Sequence, residues 1–157
     1  MLRWLVLSGI IIILDQISKH FASASLELHQ PIPIIPFLNF TLMHNEGAAF
    51  SFLSDAGGWQ RWFLSALALS VSVFIVFWMR KLQPYERWHA ISLALILGGA
   101  LGNVIDRIRI GYVVDFIDVY YKNAHWPAFN IADSAITIGA AILIVVGFIK
   151  KEKEPSQ

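Results

Sequence analysis

The chain has 157 residues, of which 57% are hydrophobic and 15% charged, with a formal net charge of +1 and no cysteine. Together with a mean hydropathy of +0.61, this composition excludes a soluble domain of such size. The near-neutral charge gives no footing for nucleic acid, and the missing thiols exclude disulfides, thiol catalysis and cysteine-based metal sites.

The first apolar run, residues 2–22, has a signal-peptide outline, with Arg3 ahead of it and Ala22-Ser23-Ala24 as a small-residue site. Asp15, Lys19 and His20 interrupt that outline, so the run reads as a retained first helix. Asp15 and Lys19 are four apart with the acid first, the spacing of a helical ion pair at the membrane edge. Pro31, Pro33 and Pro36 follow, and then the alternating run Phe37–Met43. That run predicts a strand of a small sheet on the membrane surface, ahead of a turn at Gly47-Ala48-Ala49. Residues 61–80 and 88–105 form the second and third spans, and Gly98, Gly99, Ala100 and Gly102 give the third a small-residue face for packing inside a monomer. The fourth, 134–149, is short unless it begins near Asp133, and the polar tail from Lys151 to Gln157 reads as disordered.

A helix needs about 20 apolar residues to cross a hydrocarbon core of roughly 30 Å, so four spans use most of the chain. The expected fold is a membrane all-α protein, a single domain over residues 1–157, with four transmembrane helices and a small extracytoplasmic β-sheet region. Arg3, then Arg80, Lys81 and Arg87, then Lys150, Lys151 and Lys153 flank alternate ends of the spans, whereas residues 23–60 hold no Lys or Arg. By the positive-inside rule, both termini and the 80–88 loop are cytoplasmic, and residues 23–60 and 106–133 lie outside. Trp59, Trp62, Trp78, Trp88 and Trp126 fall near span ends as interfacial anchors, and none is assigned to substrate.

Five polar motifs sort to that outer side: Asp15-Gln16-Ile17-Ser18-Lys19, Asn45-Glu46-Gly47-Ala48-Ala49-Phe50, Gly102-Asn103-Val104-Ile105-Asp106-Arg107, Val113-Val114-Asp115-Phe116 and Phe129-Asn130-Ile131-Ala132-Asp133. Ionisable groups near lipid are costly and are usually functional. Asp133 stands where a helix N-cap would, which accounts for one aspartate there. Asp115 is flanked by Val113, Val114, Phe116 and Ile117, which desolvate its carboxyl and favour the protonated form. A pair holding one proton between them can activate a water and protonate a leaving amine. Local sequence leaves Asp115, Asp118 and Asp106 open, although Asp115 and Asp118 in a strand point to opposite faces and Asp106 adjoins Arg107. Asn45, Asn103 and Asn130 suit either a substrate backbone or the orientation of an aspartate, as well as turns and caps. The five histidines lack paired metal-ligand spacing, so neither metal nor cofactor is expected.

In family order between four spans, these motifs resemble the bacterial lipoprotein signal peptidases, or signal peptidase II: D-Q-x-S-K, N-x-G-A-A-F, G-N-x-x-D-R, V-V-D-F and F-N-x-A-D. The resemblance implies an aspartic endopeptidase of the inner membrane that removes the signal peptide from diacylglyceryl-modified prolipoproteins, N-terminal to the lipid-bearing cysteine. It implies Asp115 and Asp133 as the catalytic dyad. Asp15, Lys19, Asn45, Gly47, Asn103, Arg107 and Asn130 are then supporting residues, with Asn45 and Arg107 near the peptide. It further implies membrane lipid as surroundings and the cyclic peptide globomycin as an inhibitor type; the small-residue face of the third span, read as packing within one chain, makes a monomer the expected state. The alternative reading is a small multi-span proton-coupled transporter, but such sites lie near the midplane and these carboxylates cluster at outer span ends. A structural subunit without chemistry leaves the polar cluster unexplained.

Overall fold

The computed structural model describes residues 1–47 and 58–151. A 3-10 turn at Leu2–Trp4 leads into α1 (Leu5–Ser25), followed by α2 (Trp59–Lys81), α3 (Arg87–Arg109) and α4 (Ile131–Lys151). Each helix is long and apolar enough to cross a membrane, over Leu2–Ser25, Trp59–Lys81, Arg87–Arg109 and Ile131–Phe148. These windows outrun the sequence-based bounds because the polar motifs continue the helices instead of ending them. Lys19, Asn103, Asp106 and Asp133 are satisfied by one another inside the bundle, so no turn is needed to bring them to water.

α3 is the most buried span and packs against the other three helices, and its small residues explain why. Gly98 lies against the backbone of Ser8 on α1, Gly99 against the carbonyl of Ala132 on α4, and Gly102 against the carboxylate of Asp15. The small-residue face therefore packs helices within one chain. A Cβ at Gly99 would overlap that carbonyl, and neither atom can rotate away. Gly99→Ala is accordingly expected to cost about 1–3 kcal/mol, the usual price of overpacking. Thermal unfolding in detergent checks it against Gly9→Ala, whose added methyl meets nothing within 4 Å. Equal melting of the two variants would contradict the packing argument.

At the other end of the bundle, Ile75, Met79 and Leu82 pack on Ala90, Leu93, Ala94 and Leu97, joined by Trp4 and the half-buried Trp78. Side chains such as Val6, Ile13, Phe74 and Ile144 point outward, as a lipid-facing surface requires. Trp59, Trp62, Trp88 and Trp126 are exposed near helix or strand ends.

The sheet is antiparallel in the order β1 (Ile32–Ile35), β2 (Leu38–Asn45), β3 (Val113–Tyr121) and β4 (Ala124–His125). The run expected as a strand forms most of β2, and β3 supplies its long partner. Asn39 opposes Asp118, Met43 opposes Asp115 and Asn45 opposes Val113, with an irregularity between Phe40 and Met43. Pro36-Phe37 turns β1 into β2, placing the bulky Phe37 at a φ of 73°. Its carbonyl accepts from the Tyr120 N–H at 3.0 Å and its ring stacks on Tyr121, which holds the residue in that conformation. The expected turn at Gly47-Ala48-Ala49, with Phe50 of the same motif, falls beyond Gly47 outside the described residues, as does the tail from residue 152.

Candidate active site

The site starts from Lys19, 3% exposed on α1. Its Nζ lies 2.8 Å from Asp15 and 2.8 Å from Asp106 on α3, and donates to Asn103 Oδ1 at 2.8 Å. The expected Asp15–Lys19 pair is present, but one cation serves two buried carboxylates. Asp106 is thus paired with positive charge, although through Lys19; Arg107 donates instead to the carbonyl of Gly47 at 2.9 Å. Asp15 has a second role, since its Oδ1 accepts from the Ala132 N–H at 3.0 Å in the first turn of α4. A carboxylate there suits the positive end of the helix.

Asn130 precedes α4 and its Oδ1 accepts from the Asp133 N–H at 2.9 Å. The N-cap is therefore Asn130, and Asp133 sits three residues on, so capping does not account for that aspartate. Asn130 Nδ2 points the other way and donates to Asp115 Oδ1 at 2.7 Å. Asn103, bound through Oδ1 to Lys19, donates its Nδ2 to Asp133 Oδ1 at 2.8 Å. Asn45 donates to Asp115 Oδ2 at 3.1 Å and accepts from the Gly47 N–H at 3.1 Å. The structure brings Asp15, Lys19, Asn45, Gly47, Asn103, Arg107, Asp115, Asn130 and Asp133 into one connected network.

Asp115 is 2% exposed, and burial, with the negative charge of Asp133, pushes its carboxyl up to about 7 against the opposing donors Asn45 and Asn130. Asp118, three residues along β3, goes the other way. Burial would raise it, but donors from His125 at 2.8 Å, Asn39 at 3.2 Å and Thr41 at 3.0 Å outweigh burial and hold it below the ordinary range. Environment thus separates two aspartates that local sequence left open.

The folded chain keeps the Asp115 proton up to about 7, whereas its ordinary value is 3.8. Between those values the folded state binds more protons, so stability falls as pH rises through the window and stays lower above it. Asp115→Asn cannot ionise, so its stability relative to the native chain should climb from pH 4 to pH 8, by up to about 4 kcal/mol. Melting temperatures across that range check this; a pH-independent difference would contradict it.

Asp115 and Asp133 line one cavity of about 840 Å³, with Asn45, Asn103 and Arg107. Its wall continues along α4 through Thr137 to the exposed Ile138, so the cavity reaches the lipid-facing surface. Sequence reasoning gave no place in the site to Met43, His44, Trp126, Pro127 or Ala128, which also line it. His44 stacks on Tyr112 with centroids 4.0 Å apart, and burial, then nearby His29, lowers its proton affinity despite Glu46. Trp126, assigned only to the interface, also faces the cavity; its place just ahead of the Phe129-Asn130 motif was the available signal. Among the described residues, no cluster of three or more His, Asp or Glu is placed to hold a metal.

The model of a family described as signal peptidase (SPase) II matches residues 7–149. The chain is 62% identical to a lipoprotein signal peptidase of Teredinibacter turnerae over 144 residues, covering 91% of this chain and 85% of that one. It is 56% identical over 154 residues to that of an Acinetobacter baumannii strain, covering 98% and 88%. A solved structure described as a bacterial membrane enzyme by the in meso method at 2.3 Å resolution superposes with a TM-score of 0.87 at 30% identity, covering 99% and 93%. A second, so described at 1.9 Å, gives 0.80 at 32% identity, covering 92% and 91%. With that match running through all four helices and both long strands, the chain belongs to the signal peptidase II family of aspartic peptidases.

Proposed function

We propose that this multi-pass enzyme of the inner membrane acts on diacylglyceryl-modified prolipoproteins, cutting N-terminal to the lipid-bearing cysteine with Asp115 and Asp133 as its dyad. One observation carries the assignment: the single amide of Asn130 donates to Asp115 at 2.7 Å and accepts from the Asp133 backbone at 2.9 Å, tying both residues to one end of a cavity open toward lipid. Membership in a peptidase family leaves the transporter reading without support.

In this reading the pair shares one proton and titrates as a unit. Asp115, pushed up to about 7, holds the proton, and Asp133 takes one from a water between them. The resulting hydroxide attacks the scissile carbonyl. Asp115 donates a hydrogen bond to the developing oxyanion, and the proton gathered by Asp133 passes to the departing amine as the C–N bond breaks. Lys19 and Asn103 orient Asp133, and Asn45 and Asn130 orient Asp115. Arg107 lines the cavity and brings a cation to it, while one of its NH2 groups donates to the Gly47 carbonyl at 2.9 Å.

Purified monomeric protein should process a lipid-modified precursor and leave the same precursor uncut when its cysteine lacks the diacylglyceryl group. A globomycin-type cyclic peptide should compete for the cavity. Equal processing of both precursors would remove the lipid from the substrate definition. The site is proposed to open at the outer face, with both termini cytoplasmic, from the distribution of Lys and Arg. An impermeant thiol reagent applied outside should label Lys122→Cys and spare Gln83→Cys; the reverse pattern would invert the topology.

A further inference from the structure

We propose that Asp106 is a positioning residue that fixes the separation of the two dyad carboxyls, a role resting on the assignment of Asp115 and Asp133. One of its oxygens, Oδ2, anchors an arm to each. Oδ2 meets Lys19 Nζ at 2.8 Å, Lys19 donates to Asn103, and Asn103 donates to Asp133. The same Oδ2 accepts from the Val114 N–H at 3.3 Å, and Val114 is the residue before Asp115. Oδ1 accepts from Gln16 Nε2 at 2.8 Å, which sets the plane of the carboxylate. The path from Asp133 through Asn103, Lys19, Asp106 and Val114 to Asp115 joins α4, α3, α1 and β3.

Asp106 is 5% exposed, and the contacts on its side chain are all donors. A carboxylate accepts on both oxygens, whereas an asparagine must turn its NH2 toward one of those donors. The charged groups around it are Lys19 and, across Lys19, Asp15 on α1, Arg107 beside it on α3, Asp133 on α4 and Asp115 on β3. Removing its charge leaves Lys19 with less compensation and favours the ionised dyad.

Asp106→Asn, assayed with the native dyad and a diacylglyceryl-modified precursor, is expected to lower kcat about tenfold or more, because small displacements of reacting groups are costly. KM should stay within about twofold and the acid limb of the kcat profile should move to lower pH. Asp106→Glu restores the charge but not the length, so the limb should return while kcat stays low. If Asp106→Asn does not fold, Gln16→Ala decides, since it removes the donor on Oδ1 and should lower kcat about threefold at unchanged KM. A native kcat and an unmoved profile in the folded variant would overturn the proposal, as would a loss that merely tracks the folded fraction. Cleavage by folded Asp115→Asn would instead overturn the dyad.

Discussion

Asp115→Asn and Asp133→Asn are each expected to lower kcat about a thousandfold, the scale at which positioned acids and bases contribute. Both substitutions keep the size of the side chain. At position 115 the amide loses one of two accepted hydrogen bonds, from Asn45 at 3.1 Å or Asn130 at 2.7 Å, so the fold should survive while the shared proton is lost. A water held between two carboxyls is disabled by the loss of either, so the double variant should be little worse than each single one. Asp118→Asn should retain most turnover, because Asp118 faces His125, Asn39 and Thr41 and not the cavity. Additive losses at 115 and 133, measured as single-turnover rates, would show two independent roles.

Lys19→Met is expected to prevent most of the protein from folding. It strands Asp15, 0% exposed, and Asp106, 5% exposed, with no cation between them. Removing one partner of a buried charge cluster costs about 3–5 kcal/mol, a large part of a domain's stability. If Asp15 and Lys19 formed an isolated pair, neutralising both would rescue the fold. The structure changes that expectation: Asp15→Asn with Lys19→Gln still leaves Asp106 charged, so recovery should need Asp106→Asn as a third change. Monodisperse yield and melting temperature report the order; a Lys19→Met variant that melts like the native chain would refute the shared-cation account.

The spans were legible because lipid leaves a long apolar signature, and the Asp15–Lys19 pair because four-residue spacing puts both on one helix face. Phe37–Met43 announced its strand by alternation. What stayed hidden was the third dimension. Nothing local tells that Lys19 reaches Asp106 on another helix, or that Asn103 turns one end of its amide to Lys19 and the other to Asp133. Asp133 looked like a cap because it precedes an apolar run; the cap is Asn130, since the helix starts at Ile131. The cavity wall at Trp126 escaped notice because an aromatic at a membrane interface already has a sufficient explanation.

The most direct test is mass analysis of the products formed by purified protein from a diacylglyceryl-modified precursor, with folded Asp115→Asn and Asp133→Asn run beside it. The native chain should release a peptide ending at the residue before the lipid-bearing cysteine, and neither variant should release it above background. Release of that peptide at the native rate by either folded variant would contradict the paired-carboxyl account.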